Sequence, residues 1–258
     1  VTLGDISYEC IGDYKPHNVR LCSISDAMIP WNAKKETQHD LMMEYVKLID
    51  KVVEKEHPDL IVLTEHFHNM CDPALKLADK FVDYDNEVVT LIAEKAKEHG
   101  IGIVMDLVIN HTSDEHEWFK KGIDKNSEYH DYYIWRDGKG KKRPNNWSSL
   151  FEGKAWEYNE ENGQYYLHLF SKKQPDLNMD NPKVRQEVKD IMRFWLDMGV
   201  DGFREDVITF VSKREGLPNG FPIPQACGME HYMDGPHIHE YLKEFREVLN
   251  EYDCFVVG

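Results

Sequence analysis

Residues 199–210 read GVDGFREDVITF. Residues 200–203 have the makings of a short buried strand, and Arg204, Glu205 and Asp206 follow at once. Three charges at the end of an apolar strand are costly to bury unless they pair or take part in chemistry. Residues 100–111, GIGIVMDLVINH, are built the same way: Asp106, Asn110 and His111 interrupt or end an apolar run. Two adjacent parallel strands would point their C-terminal ends into one crevice, and in an α/β barrel that crevice is the active site. A lone Asp at a strand end is often an Asx turn or a helix cap. Here two such stretches occur, and Arg204 stands two residues before Asp206, hence on the same side of a strand. Together they favour a site.

Working outward, residues 19–24 can form a first strand. Thr37 with Asp40 resembles a capping box. Leu41, Met42, Tyr45, Leu48, Ile49, Val52 and Val53 then recur at helical spacing. A second strand is expected over 60–63. Asp85 can cap a helix whose buried face is Val88, Val89, Ile92, Ala93 and Ala96, ending at Gly100. The strand of Asp106 follows. Strand, helix, strand, helix, strand implies parallel pairing with crossovers.

Residues 112–180 break this rhythm. They are long for a loop and rich in aromatics, Gly and Asn. Asn162-Gly163 is a hairpin signal, so a small, partly antiparallel subdomain is predicted between a strand and its helix. Asn181-Pro182 then caps and opens a helix, with Val184, Val188, Ile191 and Trp195 predicted on one face. After the Asp206 strand comes an irregular stretch, 213–235. A last helix starts at Pro236, and a short strand spans 255–257. The fold class predicted is α/β, a TIM-type (β/α) barrel left incomplete: about five parallel strands against the eight of a closed barrel. Its organisation is predicted as 1–111, the first part of the barrel-like domain; 112–180, the subdomain inserted after the third strand; and 181–258, the continuation.

Composition narrows the function. A net charge of −16 over 258 residues argues against a nucleic-acid partner. No apolar run reaches the length of a membrane span. The five cysteines are widely spaced without a CxxC pair, which speaks against a zinc knuckle or disulfide scaffold and mildly for a reducing cytoplasm. Glu65, His66, His68 and Cys71 match no zinc spacing. An arginine beside Asp206 favours its ionised form, which suits a nucleophile or an electrostatic stabiliser. Asp106 and His111 could hydrogen-bond the hydroxyls of a polyol. Trp135, Trp147, Phe151, Trp156 and Tyr158 offer faces on which the C–H patches of sugar rings can pack, or else form the subdomain's core.

From about residue 101 onward the chain resembles the alpha-amylase superfamily of glycoside hydrolases, and within it oligo-1,6-glucosidases and related alpha-glucosidases. The matching stretches are MDLVINHTSDEHEWF (105–119), YHDYYIWRDGKGKKRPNNWSSLFEGKAWEY (129–158), YYLHLFSKKQPDLN (165–178) and GVDGFREDVITFVSKREGLP (199–218). The resemblance implies retaining hydrolysis of alpha-glucosidic bonds in short oligosaccharides. It implies Asp206 as the nucleophile, Arg204 as the group that orients it, and Asp106 and His111 as ligands of the first sugar. Retention needs two carboxyl groups roughly 5 Å apart, one attacking and one protonating the leaving oxygen.

Three departures from that pattern stand out. Glu205 occupies a position usually apolar in these glucosidases, and as a strand neighbour of Asp206 it should point the other way. The family's acid is a Glu directly after a Val-Gly pair, and here the sequence stops at Val257-Gly258. A chain complete at that point is expected to have little or no glucosidase activity. Residues 1–100 lack the family's usual opening. Instead, residues 18–32 and 57–67 resemble the start of nitrilase-type carbon–nitrogen hydrolases, in which Glu65 would be the general base. A non-catalytic sugar-binding protein is the other alternative. The resemblance implies no cofactor. Calcium or magnesium, held in oxygen-rich loops by some relatives, is left unassigned. The partner expected is a small oligosaccharide, with no nucleic acid and no membrane.

Overall fold

The structure is a computed structural model, and it describes residues 21–24, 38–58, 60–63, 87–140, 142–151 and 153–258. The capping residues Thr37 and Asp85, and the group Glu65, His66, His68 and Cys71, lie outside these residues. The nitrilase-like reading of Glu65 thus also falls outside the described residues. The chain divides into two compact units, Val1–Ile101 and Gly102–Gly258.

In the first unit, β1 (Leu21–Ile24) pairs in parallel with β2 (Leu60–Leu63). Between them runs α1 (Gln38–Glu56), and after them α2 (Glu87–Glu98). Val46 and Ile49 of α1 and Ala96 of α2 are buried. Asp50 of α1 fixes the register of the two helices. It meets His99 Nε2 at 2.7 Å and Lys95 Nζ at 3.1 Å, and these partners, His99 first, hold its carboxyl below the usual range. Gly100 ends α2 with φ +65°, a value that suits glycine.

The second unit is built on a parallel sheet in the order β3–β7–β8. These strands are Val104–Val108, Gly202–Asp206 and Phe255–Val257. Among the described residues, five parallel strands thus fall into two sheets, neither closed into a barrel, which is the incomplete α/β arrangement expected. Strand β7 runs three residues further than the apolar signal suggested, through all three charges. Period-2 alternation explains this: Phe203 and Glu205 face the core, while Arg204 and Asp206 face the other side.

Between β3 and the next long helix lies the insert. It contains α3 (Glu117–Gly122) and an antiparallel sheet in the order β4–β6–β5, formed by Trp135–Arg136, Gln164–Leu167 and Trp156–Asn159. The hairpin turns where Asn162-Gly163 marked it. Asn159 Oδ1 accepts the amides of Glu161 and Asn162, and Gly163 has φ +71°. Three of the five aromatics proposed as sugar faces are core instead: Trp135 is 5% exposed and Trp147 and Trp156 are wholly buried. Burial removes far more aromatic area from water than an exposed ring could cover on a sugar. The indole N–H groups of Trp147 and Trp156 are satisfied by Pro218 O and Asn145 Oδ1.

Helix α4 (Pro182–Asp197) starts as read, with Asn181 Oδ1 accepting the Lys183 amide and Pro182 in the first turn. Its buried stripe is Val184, Val188, Met192 and Leu196, a strict four-residue step, so Ile191 lies outside it. Helix α5 (Ile238–Leu249) begins two residues after Pro236 and buries Ile238, Tyr241, Phe245, Val248 and Leu249. Both helices share one core with Leu107 and Phe203.

Candidate active site

Register places the charged residues. In the β3–β7 pair Asp106 lies opposite Arg204, and Val108 opposite Asp206. Arg204 Nη1 stands 2.9 Å from Asp106 Oδ1 and 2.5 Å from Asp206 Oδ1, so one guanidinium nitrogen bridges both carboxylates. These partners, the Asp106 hydrogen bond first, raise the Arg204 pKa further. Gly202 makes the close strand packing possible: a Cβ there would overlap the Phe255 backbone on β8. Directly after Asp206 the chain turns sharply. Val207 takes φ 45°, ψ 33° and leads into a 3₁₀ turn, Ile208–Phe210. A left-handed β-branched residue is strained, and such strain gathers at functional sites.

His111 follows β3 and bridges to Asp176 of the QPDLN segment. Its Nε2 lies 2.9 Å from Gln174 Nε2, and its Nδ1 lies 3.3 Å from Asn110 Nδ2. Both amides are oriented from elsewhere. Asn110 Oδ1 accepts from Lys213 Nζ at 2.9 Å, and Gln174 Oε1 accepts the Ser171 amide. Each therefore presents N–H to the imidazole, which offers one acceptor when neutral and none when protonated. Burial pulls the His111 pKa down; Lys213 adds to the effect, and Asp176 and Asp206 oppose it.

Of the residues singled out in the sequence, the structure brings together Asp106, Arg204 and Asp206, and places His111 against the insert. Sequence reasoning missed the anchor behind them. Asn110 and Asp176 are wholly buried, and Lys213 is 5% exposed. Lys213 Nζ lies 2.8 Å from Asp176 Oδ2, an ionic contact bent away from hydrogen-bond geometry, while Asp176 Oδ1 accepts the Leu169 amide. The one signal in the sequence was a lysine directly after an apolar run, VITFVSK at 207–213.

Residues 75–258 match the family described as the alpha amylase catalytic domain. The chain belongs to the alpha-amylase superfamily. It is 59% identical over 170 residues to an oligo-1,6-glucosidase of Parageobacillus thermoglucosidasius, covering 64% of this chain and 30% of that protein. It is 44% identical over 188 residues to a trehalose-6-phosphate hydrolase of Escherichia coli, covering 72% and 32%. The crystal structure of Bacillus licheniformis trehalose-6-phosphate hydrolase superposes with a TM-score of 0.72 at 36% identity, over 93% of this chain and 44% of that one. The chain thus spans about a third of the length of the curated relatives it matches.

Two features complete the site of this alpha-amylase superfamily chain. Phe170 packs against His111 with ring centroids 5.1 Å apart, and Phe151, 68% exposed, packs edge-on against Phe170 at 5.6 Å. Of the aromatics considered as sugar faces, Phe151 is thus the one joined to the site. The second concerns metals. Among the described residues no group of three or more His, Cys, Asp and Glu side chains could hold an ion. The buried oxygens of Asn110 and Asp176 already face the Lys213 ammonium at under 3 Å, and a divalent cation at that pair would meet a positive charge. These residues do not fit a metal. Among the described residues no helix is long and apolar enough to cross a membrane.

Proposed function

We propose that this chain carries the sugar-binding and nucleophile portion of a retaining alpha-glucosidase acting on short alpha-linked glucosides. The observation that supports this best is the Asp106–Arg204–Asp206 bridge across two adjacent parallel strands, with Asp206 at the C-terminal end of β7. In this reading Asp206 attacks the anomeric carbon. The C–O bond to the leaving group breaks and an ester to Asp206 forms. Arg204 points one Asp206 oxygen and neutralises charge that would otherwise repel between the two carboxylates. Asp106 accepts hydrogen bonds from hydroxyls of the bound glucose. His111, neutral and accepting at Nε2 from Gln174, lies beside that sugar and is steadied by Phe170. Oligo-1,6-glucosidases are the relatives whose name fits this reading. We assign the acid that protonates the leaving oxygen to none of the described residues; Glu205 lies on the opposite face of β7 from Asp206.

An activated substrate tests the nucleophile without needing an acid. Incubation with 5-fluoro-α-glucosyl fluoride should add one fluoroglucosyl unit to the peptide containing Asp206, read by mass spectrometry. Labelling of a different residue, or equal labelling of Asp206→Asn, refutes the assignment.

A further inference from the structure

The β5–β6 hairpin has two ends with different surroundings. Its open end continues through His168 to Phe170, which packs on His111. Its turn end borders a separate cavity of about 510 Å³, lined by Asp137, Gly138, Gly140, Tyr158, Gly163 and Tyr165. That volume falls in the range of small-molecule sites, about 300–1,000 Å³.

The lining is ordered by the fold. Tyr158 and Tyr165 are direct cross-strand partners, with ring centroids 5.1 Å apart at 57°. Tyr158 remains 49% exposed and Tyr165 is half-buried, whereas Trp135, Trp156 and Tyr166 of the same sheet are buried. Three glycines line the cavity. At Gly138 a Cβ would come within 2.8 Å of Tyr165 Cε2 and 2.9 Å of Lys142 O, so only glycine lets this loop lie against the ring. Asp137 is held in place: its Oδ1 accepts from Gln164 Nε2 at 3.0 Å. Its second oxygen has no hydrogen-bond partner among the described residues and can accept from a ligand.

The chemistry selects the ligand class. Among the described residues no lysine or arginine lines the cavity, which disfavours an anion. Two tilted phenol rings offer apolar faces with hydroxyl edges, and one oriented carboxylate offers a strong acceptor. That combination suits a neutral polyol ring, whose C–H face stacks and whose hydroxyls donate. We propose that this cavity is a second sugar-binding site, taking glucosyl units of a short alpha-linked oligosaccharide apart from the Asp106–Asp206 crevice. The choice of alpha-glucoside rests on the function proposed above; the site itself rests on the cavity.

Amide NMR spectra of the 258-residue chain, titrated with isomaltotriose, test this directly. Shifts are expected at Gly138, Gly140 and Gly163, retained in Asp206→Asn and weakened about tenfold or more in affinity by Tyr158→Ala. Tyr158→Phe should keep most of the binding, because the stacking face survives. Absence of shifts at these glycines at saturating sugar overturns the proposal, as does their persistence in Tyr158→Ala. A response to tetramethylammonium but not to the sugar overturns it in favour of a cation site. Loss of the fluorosugar label at Asp206 would sink the catalytic reading and leave these glycine shifts unaffected.

Discussion

Lys213 and Asp176 form an ion pair with 4% and 0% of their side chains exposed, Nζ to Oδ2 at 2.8 Å. The lysine follows β7 and its turn; the aspartate closes the insert. Asn110, at the end of β3, is the third member through its 2.9 Å contact to Lys213. One buried ammonium therefore ties together the three chain segments that carry Asp206, His111 and the insert. Breaking a buried pair leaves an uncompensated charge, which costs about 3–5 kcal/mol. Lys213→Met should lower stability by that order in urea unfolding, and Asp176→Asn by a similar amount. The double variant Lys213→Met with Asp176→Asn should be less destabilised than the two single losses added. Additive losses would show that the two side chains do not act as a pair.

Glu205 is the opposite case. It lies beside Leu107 on the core face of the sheet, 9% exposed, and burial alone raises its pKa above the ordinary 4.5. The folded state therefore binds the proton more tightly than the unfolded chain. Stability from this group is full below 4.5 and falls as pH rises through the folded pKa. At neutral pH the carboxylate is a net cost. Glu205→Met should stabilise the protein by about 1–3 kcal/mol at pH 7, and the gain should shrink as the pH approaches 4. Thermal unfolding across that range checks it; a gain that is constant with pH would show that packing, not ionisation, is responsible.

His111 shifts in the reverse sense. Its folded pKa lies below 6.5, so the unfolded chain binds more protons and stability is lost as pH falls below 6.5. Gln174→Glu would exchange an amide donor for a carboxylate acceptor facing Nε2. The His111 imidazole should then titrate higher than in the parent, seen in its ring proton shifts by NMR. An unchanged midpoint would mean that burial, and not the facing amides, sets the protonation state.

Local signals carried most of the architecture. The Asn181-Pro182 start, the Asn162-Gly163 turn and the Gly100 stop each impose their geometry over a few residues, so they could be read directly. Strand β7 was misjudged at its end because an apolar run marks burial on both faces, whereas here one face is open and takes Arg204 and Asp206. The tryptophans of the insert were ambiguous for a related reason: an aromatic suits a core and a sugar platform equally, and only tertiary packing separates Trp156 from Phe151. Lys213 was least legible. Its partners Asn110 and Asp176 lie 103 and 37 positions away in sequence, and nothing local indicates that a lysine is buried. Asp106, Arg204 and Asp206 could be found because period 2 puts the latter pair on one side and parallel pairing brings the first beside them.

The same bridge separates stability from activity. Arg204 and Asp106 are each about half exposed, 54% and 52% of their side chains. Ion pairs in that setting contribute about 0–1 kcal/mol. Arg204→Ala should therefore shift unfolding by less than about 1 kcal/mol. Its effect on chemistry should be far larger, because a fixed guanidinium aims the attacking carboxylate and screens the two acids from each other. Loss of a preorganised electrostatic contact of this kind typically costs about 100-fold or more in rate. Arg204→Lys keeps the charge but carries it on a shorter, more flexible stem that holds the bridging nitrogen less firmly between the two carboxylates, so it should recover only part of the rate. Single-turnover labelling with the fluorosugar measures the attack step alone. A label forming at the parental rate in Arg204→Ala would remove Arg204 from the mechanism and leave it as a surface ion pair.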